Sequence, residues 1–161
     1  MDFTIREMQK EDISKIQEIA IISWNDTYRG IIPTEIQEMF LRSAYNDEML
    51  QRRLEHSTIF VSEVDGEIVG FANFSTVNED GKTELTAIYL DPEYQGKGIG
   101  TALLKKGITT LAGAKEIYIN VEKDNSIGLT FYRAKGFEFV SEFSEEFYGY
   151  FLNTVRMVLK V

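Results

Sequence analysis

The ten residues DPEYQGKGIG, Asp91 to Gly100, set glycine at every second position from Gly96, between a strand-like run and a helix-like one. Glycine loses more backbone freedom on folding than any other residue and weakens regular structure. Three within five residues are expected where something bulky must come close to the backbone. On one side, KTELTAIYL (82–90) reads as a strand. On the other, Ile99, Leu103, Leu104, Ile108 and Leu111 recur at helical spacing. KEIYINV (115–121) is the next strand. The span 83–121 is therefore a β-α-β unit, which requires a parallel strand pair joined by a right-handed crossover.

The rest of the chain is placed around that unit. TIFVSEV (58–64) and EIVGFANFS (67–75) flank Asp65-Gly66, a two-residue hairpin signal. Asn78 to Gly81 makes another turn. Residues 3–7 read as a first strand. Lys10 to Thr27 reads as a helix with Ile13, Ile16, Ala20 and Trp24 on one stripe. A second helix opens at Pro33, a favoured first-turn residue. A third covers 46–56. Asp124, Asn125 and Ser126 offer caps for a short helix that Gly136 ends. FEFVSEF (137–143) and YFLNTVRMVLKV (150–161) are closing strands. The order β-α-α-α-β-β-β-α-β-α-β-β predicts an α+β (mixed α/β) class. It is a single domain over 1–161, with a central mixed, mostly antiparallel sheet and helices on both faces.

Composition narrows the function. A chain of 161 residues suits one domain with a real core. A formal net charge of -9 argues against nucleic acid, whose binders rely on clustered Lys and Arg. There is no cysteine, hence no disulfide, thiol nucleophile or cysteine-ligated metal. His56 is the only histidine and ends a charged helix, so neither a serine-histidine set nor a transition-metal centre is expected. No signal peptide or run of about 18 apolar residues is seen, so neither membrane nor export is expected and a cytoplasmic location is.

Three phosphate loops compete for the glycine stretch. A P-loop needs Ser or Thr after Gly-Lys, and Gly98 follows Lys97. A dinucleotide fingerprint from Gly96 and Gly98 would need glycine where Thr101 stands. The third pattern, Gln95-x-x-Gly98-x-Gly100, fits. First-turn amides of a helix lack intrahelical partners, and the dipole adds positive potential. Without side chains in the way, a pyrophosphate can reach them.

That pattern resembles the acetyl-CoA loop of the GNAT superfamily of N-acetyltransferases. A second stretch, NSIGLTFYRAKGF (125–137), resembles the family's N-x-x-A-x-x-F-Y-x-x-x-G-F segment, with Gly128 where alanine is usual. The resemblance implies a parallel pair that splays apart, with the pantetheine arm of acetyl-CoA in the gap. Gly96, Gly98 and Gly100, with Ile99 and Thr101, would cradle the pyrophosphate, and Gln95 and Lys97 would stand at the lip. Main-chain groups of Ile88, Tyr89 and Leu90 would hold the arm and the oxyanion. Asn125 and Phe131 would close the far side.

The chemistry implied is direct attack of an amine on a thioester. A lysine-like amine has a pKa of about 10.4, so freeing its base at pH 7 costs about 4.6 kcal/mol. Glu84, on the strand before the loop, is the expected base, and alternation puts it on one face with Thr86 and Ile88. Tyr132 is the expected general acid toward the leaving sulfur. No metal is called for. SWNDTYRGIIPTE (23–35) resembles the acceptor side of bacterial spermidine/spermine acetyltransferases. A polyamine acceptor is expected on Trp24, Tyr28, Glu35 and Glu142, among the acidic groups Asp26, Glu35, Glu38, Glu142, Glu145 and Glu146. Other small amines such as aminoglycosides, peptide or protein amines, and a non-catalytic acetyl-CoA sensor are the alternatives. A homodimer is compatible with all of them.

Overall fold

The chain, described over residues 1–161 in a computed structural model, lays out β1 (Thr4–Glu7), α1 (Ile13–Tyr28), α2 (Thr34–Ala44), α3 (Asp47–His56), β2 (Ser57–Val64), β3 (Glu67–Ser75), β4 (Lys82–Leu90), α4 (Ile99–Thr110), β5 (Glu116–Glu122), α5 (Ser126–Ala134), β6 (Glu138–Phe147) and β7 (Tyr150–Lys160). This is the predicted order. Local chemistry accounts for the boundaries. Asp65 and Gly66 both have positive φ, 51° and 80°, as the tight β2–β3 turn demands. Asn46 caps α3 by accepting from the Met49 N–H at 2.9 Å. Several boundaries differ from expectation, and β6 runs to Phe147, four residues past the expected end. Lys10–Asp12 forms a 3-10 turn ahead of α1. Pro33 is the cap position before α2, its carbonyl accepting from Ile36 and Gln37 N–H.

One seven-stranded sheet runs in the order β1-β2-β3-β4-β5-β7-β6. Every neighbouring pair is antiparallel except β4 and β5. Each face buries its own core. α4 and α5 cover one with Ile99, Leu103, Leu104 and Leu129 over Phe60, Phe74, Ile117 and Met157. The other, under α1 to α3, gathers Ile16, Ile19, Trp24, Leu41 and Leu50 over Ile59, Val61 and Phe71. No helix is long and apolar enough to cross a membrane.

The parallel pair is short. It runs only from Lys82↔Glu116 to Glu84↔Tyr118. Beyond it β4 stays with β3 as far as Gly70↔Leu90, while β5 stays with β7 as far as Glu122↔Thr154. A wedge therefore opens in the middle of the sheet. On the β3 side, Asn73 pairs with Ala87 and Phe74 with Leu85, so Thr86 is the extra residue of a β-bulge. The bulge reverses which face each side chain takes. Leu85, Ile88 and Leu90 belong to the α4 core, whereas Ala87 and Tyr89 belong to the α1 core. The expected alternation of Glu84 with Ile88 therefore does not hold, because one extra residue between them changes the phase of the strand.

α4 approaches the sheet closely where Gly107 faces the fully buried Phe74. A methyl group there would lie 2.3 Å from the ring. Gly107→Ala should destabilise the protein by about 1–3 kcal/mol, through overpacking that outweighs the better helix propensity of alanine. Urea denaturation checks this. A lower midpoint at unchanged slope is expected.

Candidate active site

The wedge is the mouth of a cavity of about 490 Å³. Its walls are β4 from Leu85 to Leu90, Asn120 and Val121 of β5, the 95–101 loop, and the first turns of α5. The last turns of α1, including Ser23, Trp24, Asp26 and Tyr28, complete it. At its loop end Gly96 and Gly98 have φ of 74° and 85°, conformations that favour glycine, and a Cβ on either would meet nothing within 4 Å. Their open sides are bare of protein. Gly100 differs, since a Cβ there would sit in a tight contact 3.3 Å from the Phe131 ring. α4 starts at Gly98 with no side-chain cap, and its first backbone bond is Ala102 N–H to Gly98 O at 3.1 Å. From Gly96 to Thr101 no backbone N–H has a protein partner. Such a run of free amides at a helix N-terminus has the chemistry that suits an anion. Gln95 and Thr101 line the cavity. Lys97 and the buried Ile99 do not, so Ile99 contributes only its amide.

The arm of the cavity along β4 has main-chain donors to offer. The Asp91 N–H is used by Val69 O at 2.8 Å. Alternation then turns the N–H groups of Leu90 and Ile88 away from β3 and into the wedge. Tyr89 places its ring among the α1-side aromatics, 5.5 Å from Phe71 and 6.3 Å from Tyr45.

Three tyrosine hydroxyls influence one another in the cavity. Burial raises Tyr132 above the usual 10, and Tyr28 adds to the rise. Burial pushes Tyr28 up to about 12, against a lowering contact from the Asn125 side chain. Tyr89 is raised well above 10 by burial and by Tyr45 and Tyr28. Tyr132 packs edge-on against Phe131 and Phe137, both at 5.4 Å, and its hydroxyl bonds to no backbone carbonyl. It is thus a neutral O–H with no protein acceptor. Trp24 is held between Tyr28 and Phe40, at 4.5 and 4.2 Å, so neighbouring rings pack against its indole. Its buried indole N–H has no acceptor, although Tyr89 lies near enough to feel it.

Glu84 is not brought to Tyr132. It holds Arg156 of β7 through two hydrogen bonds, one of 3.2 Å, and the guanidinium lies 4.5 Å over the Tyr118 ring of the intervening β5. Arg156 also donates to Asn120 Oδ1 at 2.9 Å. Tyr118 is Glu84's partner in the last register of the parallel pair. The ion pair therefore ties β4 to β7 across β5 where the wedge begins. Glu84 thus lines a separate concavity with Arg156 and Tyr118, and not the cavity that holds Tyr132.

Of the expected acceptor residues, Trp24 and Tyr28 line the cavity. Glu35 and Glu142 do not, nor do Glu145 and Glu146. Glu35 is exposed in the first turn of α2, and Glu142 pairs with Lys123 at 3.2 Å. Asp26 is the acidic residue that lines the cavity. A buried carboxylate not singled out from sequence, Glu122, lies near Tyr28 and accepts from the Asp124 N–H at 2.5 Å. Burial raises its pKa. No local pattern marks it, because β5 ends and turns there for tertiary reasons.

Asn125 caps α5 through the Gly128 N–H at 2.9 Å while its amide rests against the Tyr28 hydroxyl. Gly128 makes this possible, since a Cβ there would lie 2.6 Å from Asn125 Nδ2. The departure from alanine is therefore coupled to the site. In Gly128→Ala, about 1 kcal/mol of helix propensity offsets a cap worth about 1 kcal/mol. Stability should change little while Asn125 leaves Tyr28. NMR titration with labelled tyrosine should show the Tyr28 pKa rise further, and an unmoved value would decouple Gly128 from the site.

Comparison with known proteins agrees with this geometry. The model of the acetyltransferase (GNAT) family matches residues 16–137. A spermidine N(1)-acetyltransferase of Thermoplasma acidophilum is 33% identical over 146 residues, 86% of this chain and 89% of that protein. The spermidine N(1)-acetyltransferase of Escherichia coli K12 is 25% identical over 166 residues, 96% of this chain and 84% of that one. The crystal structure of PaiA N-acetyltransferase from Thermoplasma acidophilum, in complex with coenzyme A, superposes over the full length of both chains with a TM-score of 0.85 at 29% identity. With its glycine loop, splayed strands and capped α5 all inside the matched span, the chain belongs to the GNAT acetyltransferase family.

Proposed function

We propose that the protein transfers the acetyl group of acetyl-CoA to a primary amine, and that the amine is an aliphatic polyamine of the spermidine type. The observation that carries the transfer reading is the unpartnered run of amides from Gly96 to Thr101 opening on the same cavity as the unpartnered Tyr132 hydroxyl. The amides and the α4 dipole fit a pyrophosphate. The N–H groups of Ile88 and Leu90 suit an extended amide-bearing arm laid along β4 as an added strand. Bound there, acetyl-CoA supplies an activated thioester.

The chain's own groups then have separate tasks. The Ile88 N–H, which alternation turns into the wedge, offers an amide for the oxyanion. Tyr132 holds its proton because burial disfavours the phenolate. It gives that proton to the sulfur as the carbon–sulfur bond breaks and the carbon–nitrogen bond forms. The attacking amine loses its own proton through water to Asp26, the carboxylate the cavity offers. Since the Tyr132 pKa lies above 10, its deprotonation does not cut the rate until well above that pH. The rate therefore rises with pH as the amine is freed.

The polyamine reading rests on the two spermidine acetyltransferase relatives, on Asp26, and on a net charge of -9 that draws polycations toward the molecule. Thiol release from acetyl-CoA tests it across spermidine, spermine, a simple monoamine, an aminoglycoside and a peptide. We expect kcat/KM for spermidine or spermine to exceed the monoamine by about tenfold or more, with KM rising at physiological salt as exposed charges are screened beyond about 8–10 Å. Parity with the monoamine would end the polyamine assignment and leave acetyl transfer standing.

Tyr132→Phe deletes one hydroxyl and keeps the ring. Turnover should fall on the order of 10²-fold with acetyl-CoA affinity nearly unchanged. Equal turnover would make Tyr132 a packing residue.

A further inference from the structure

The fold buries two carboxylates and treats them in opposite ways. Asp12 is 8% exposed and pairs with Arg6 at 2.7 Å. Glu122, the last residue of β5, is 9% exposed and has no cation. Its neighbour Lys123 reaches away to Glu142 at 3.2 Å, and Arg156 of the adjoining strand is spent on Glu84 and Asn120. What the protein sets against Glu122 is backbone, the N–H groups of Asp124 and Asn125. Such a turn needs an acceptor, and an uncharged amide oxygen would serve it as well. A buried charge without a counter-ion is costly, and such groups cluster where function uses them.

The place of Glu122 decides what its charge does. Ile117, Ile119 and Val121 enter the α4-side core, so Asn120 and Glu122 share the other face of β5. Asn120 lines the acetyl-transfer cavity, and Glu122 follows about 6.6 Å farther along the strand. Two wall residues of the cavity are its neighbours. Asn125 donates its N–H to the Glu122 carbonyl at 3.0 Å, and Tyr28, raised first by burial, is raised further by the Glu122 charge. Tyr132 is raised by burial and by Tyr28. The anion therefore stands at the Tyr28 end of the cavity, away from the hydroxyl that faces the sulfur.

We propose that Glu122 is a specificity-determining residue for the acceptor, its charge favouring the ammonium group that a diamine or polyamine keeps while its other nitrogen reacts. This rests on the polyamine reading above. A monoamine must be neutral to attack and then offers the anion nothing. A polyamine presents a neutral amine near Tyr132 and an ammonium group one spacer away, toward Tyr28 and Glu122. Glu122 acts by its field across the wall that Tyr28 and Asn125 form, and it need not touch the acceptor. Charges interact more strongly where water is excluded. Asp26, by contrast, is exposed, and screening weakens its pull on a distant charge.

Thiol release from acetyl-CoA with spermidine, 1,4-diaminobutane and pentylamine tests it, at about pH 8 and constant ionic strength. Pentylamine replaces the second ammonium group of the diamine by a methyl group. Glu122→Gln removes the charge and keeps an acceptor for the Asp124 N–H. The ratio of kcat/KM for spermidine or the diamine over pentylamine should fall about tenfold in this variant, while KM for acetyl-CoA changes by less than about twofold. Glu122→Asp keeps the charge on a shorter stem and should retain most of the ratio, whatever its overall rate. An unchanged ratio in Glu122→Gln overturns the proposal and leaves the polyamine reading to rest on Asp26. An equal fall in Glu122→Asp and Glu122→Gln, or equal losses on all three amines with weakened acetyl-CoA, makes Glu122 a turn residue and overturns it as well. A ratio of one in the unmodified protein ends the polyamine reading and this inference together.

Discussion

The rest of the structure depends on the parting of β4 from β5 after Glu84 and Tyr118. A parallel pair that continued would have used up the main-chain groups of β4 and left no room between the sheet halves. Ending after three paired residues, it leaves an opening at the centre of an otherwise continuous sheet. Each strand keeps its other neighbour, β3 on one side and β7 on the other, so the opening does not cost the sheet its integrity. Arg156 reaches over Tyr118 to Glu84 at the vertex. The pair is partly exposed, and such pairs contribute only about 0–1 kcal/mol. Its value is positional.

Around that opening, each kind of recognition is assigned to a different type of group. Backbone amides with no partner stand at the loop end of the cavity, and they are exposed because glycines at 96 and 98 carry no side chain there. Tyr28, Tyr89 and Tyr132 line the cavity, and burial raises the pKa of each hydroxyl above its usual value. Carboxylates stand back, with Glu84 and Glu142 paired to cations and Asp26 at the cavity wall. A neutral, pre-formed interior favours a free amine over an ammonium ion and needs little rearrangement as charge develops.

Much of this was legible in the sequence. All twelve main elements and the hairpin at Asp65-Gly66 follow from periodicity, turn chemistry and spacing, since those are local properties. Gln95 to Gly100, Asn125 and Tyr132 are singled out by two short motifs that resemble those of the GNAT family, and no local rule of helix or cap would have marked them. The position of Glu84 could not be read in the same way. Its environment is set by a single extra residue at Thr86 and by an arginine 72 positions away, and neither leaves a local trace. The acidic residues of β6 look like part of an acceptor pocket only while the edge strand is assumed to border the cavity. In the fold they lie along β6 at the sheet edge. Gly128 reads as a loosened helix position until Asn125 is seen to occupy the space its methyl group would take.

The bulge at Thr86 gives β4 two reading frames. Before it, odd-numbered residues face α4. After it, even-numbered residues do. Apolar demand therefore passes from Thr83 and Leu85 to Ile88 and Leu90, and a substitution profile along the strand should change parity at one point. The position of a deletion therefore matters more than its size. Removing Thr86 itself would join Leu85 to Ala87, which already face opposite ways, and leave a regular strand with its faces unchanged. Removing Ile88 instead would carry the Tyr89 ring to the α4 face and break the lining of the cavity.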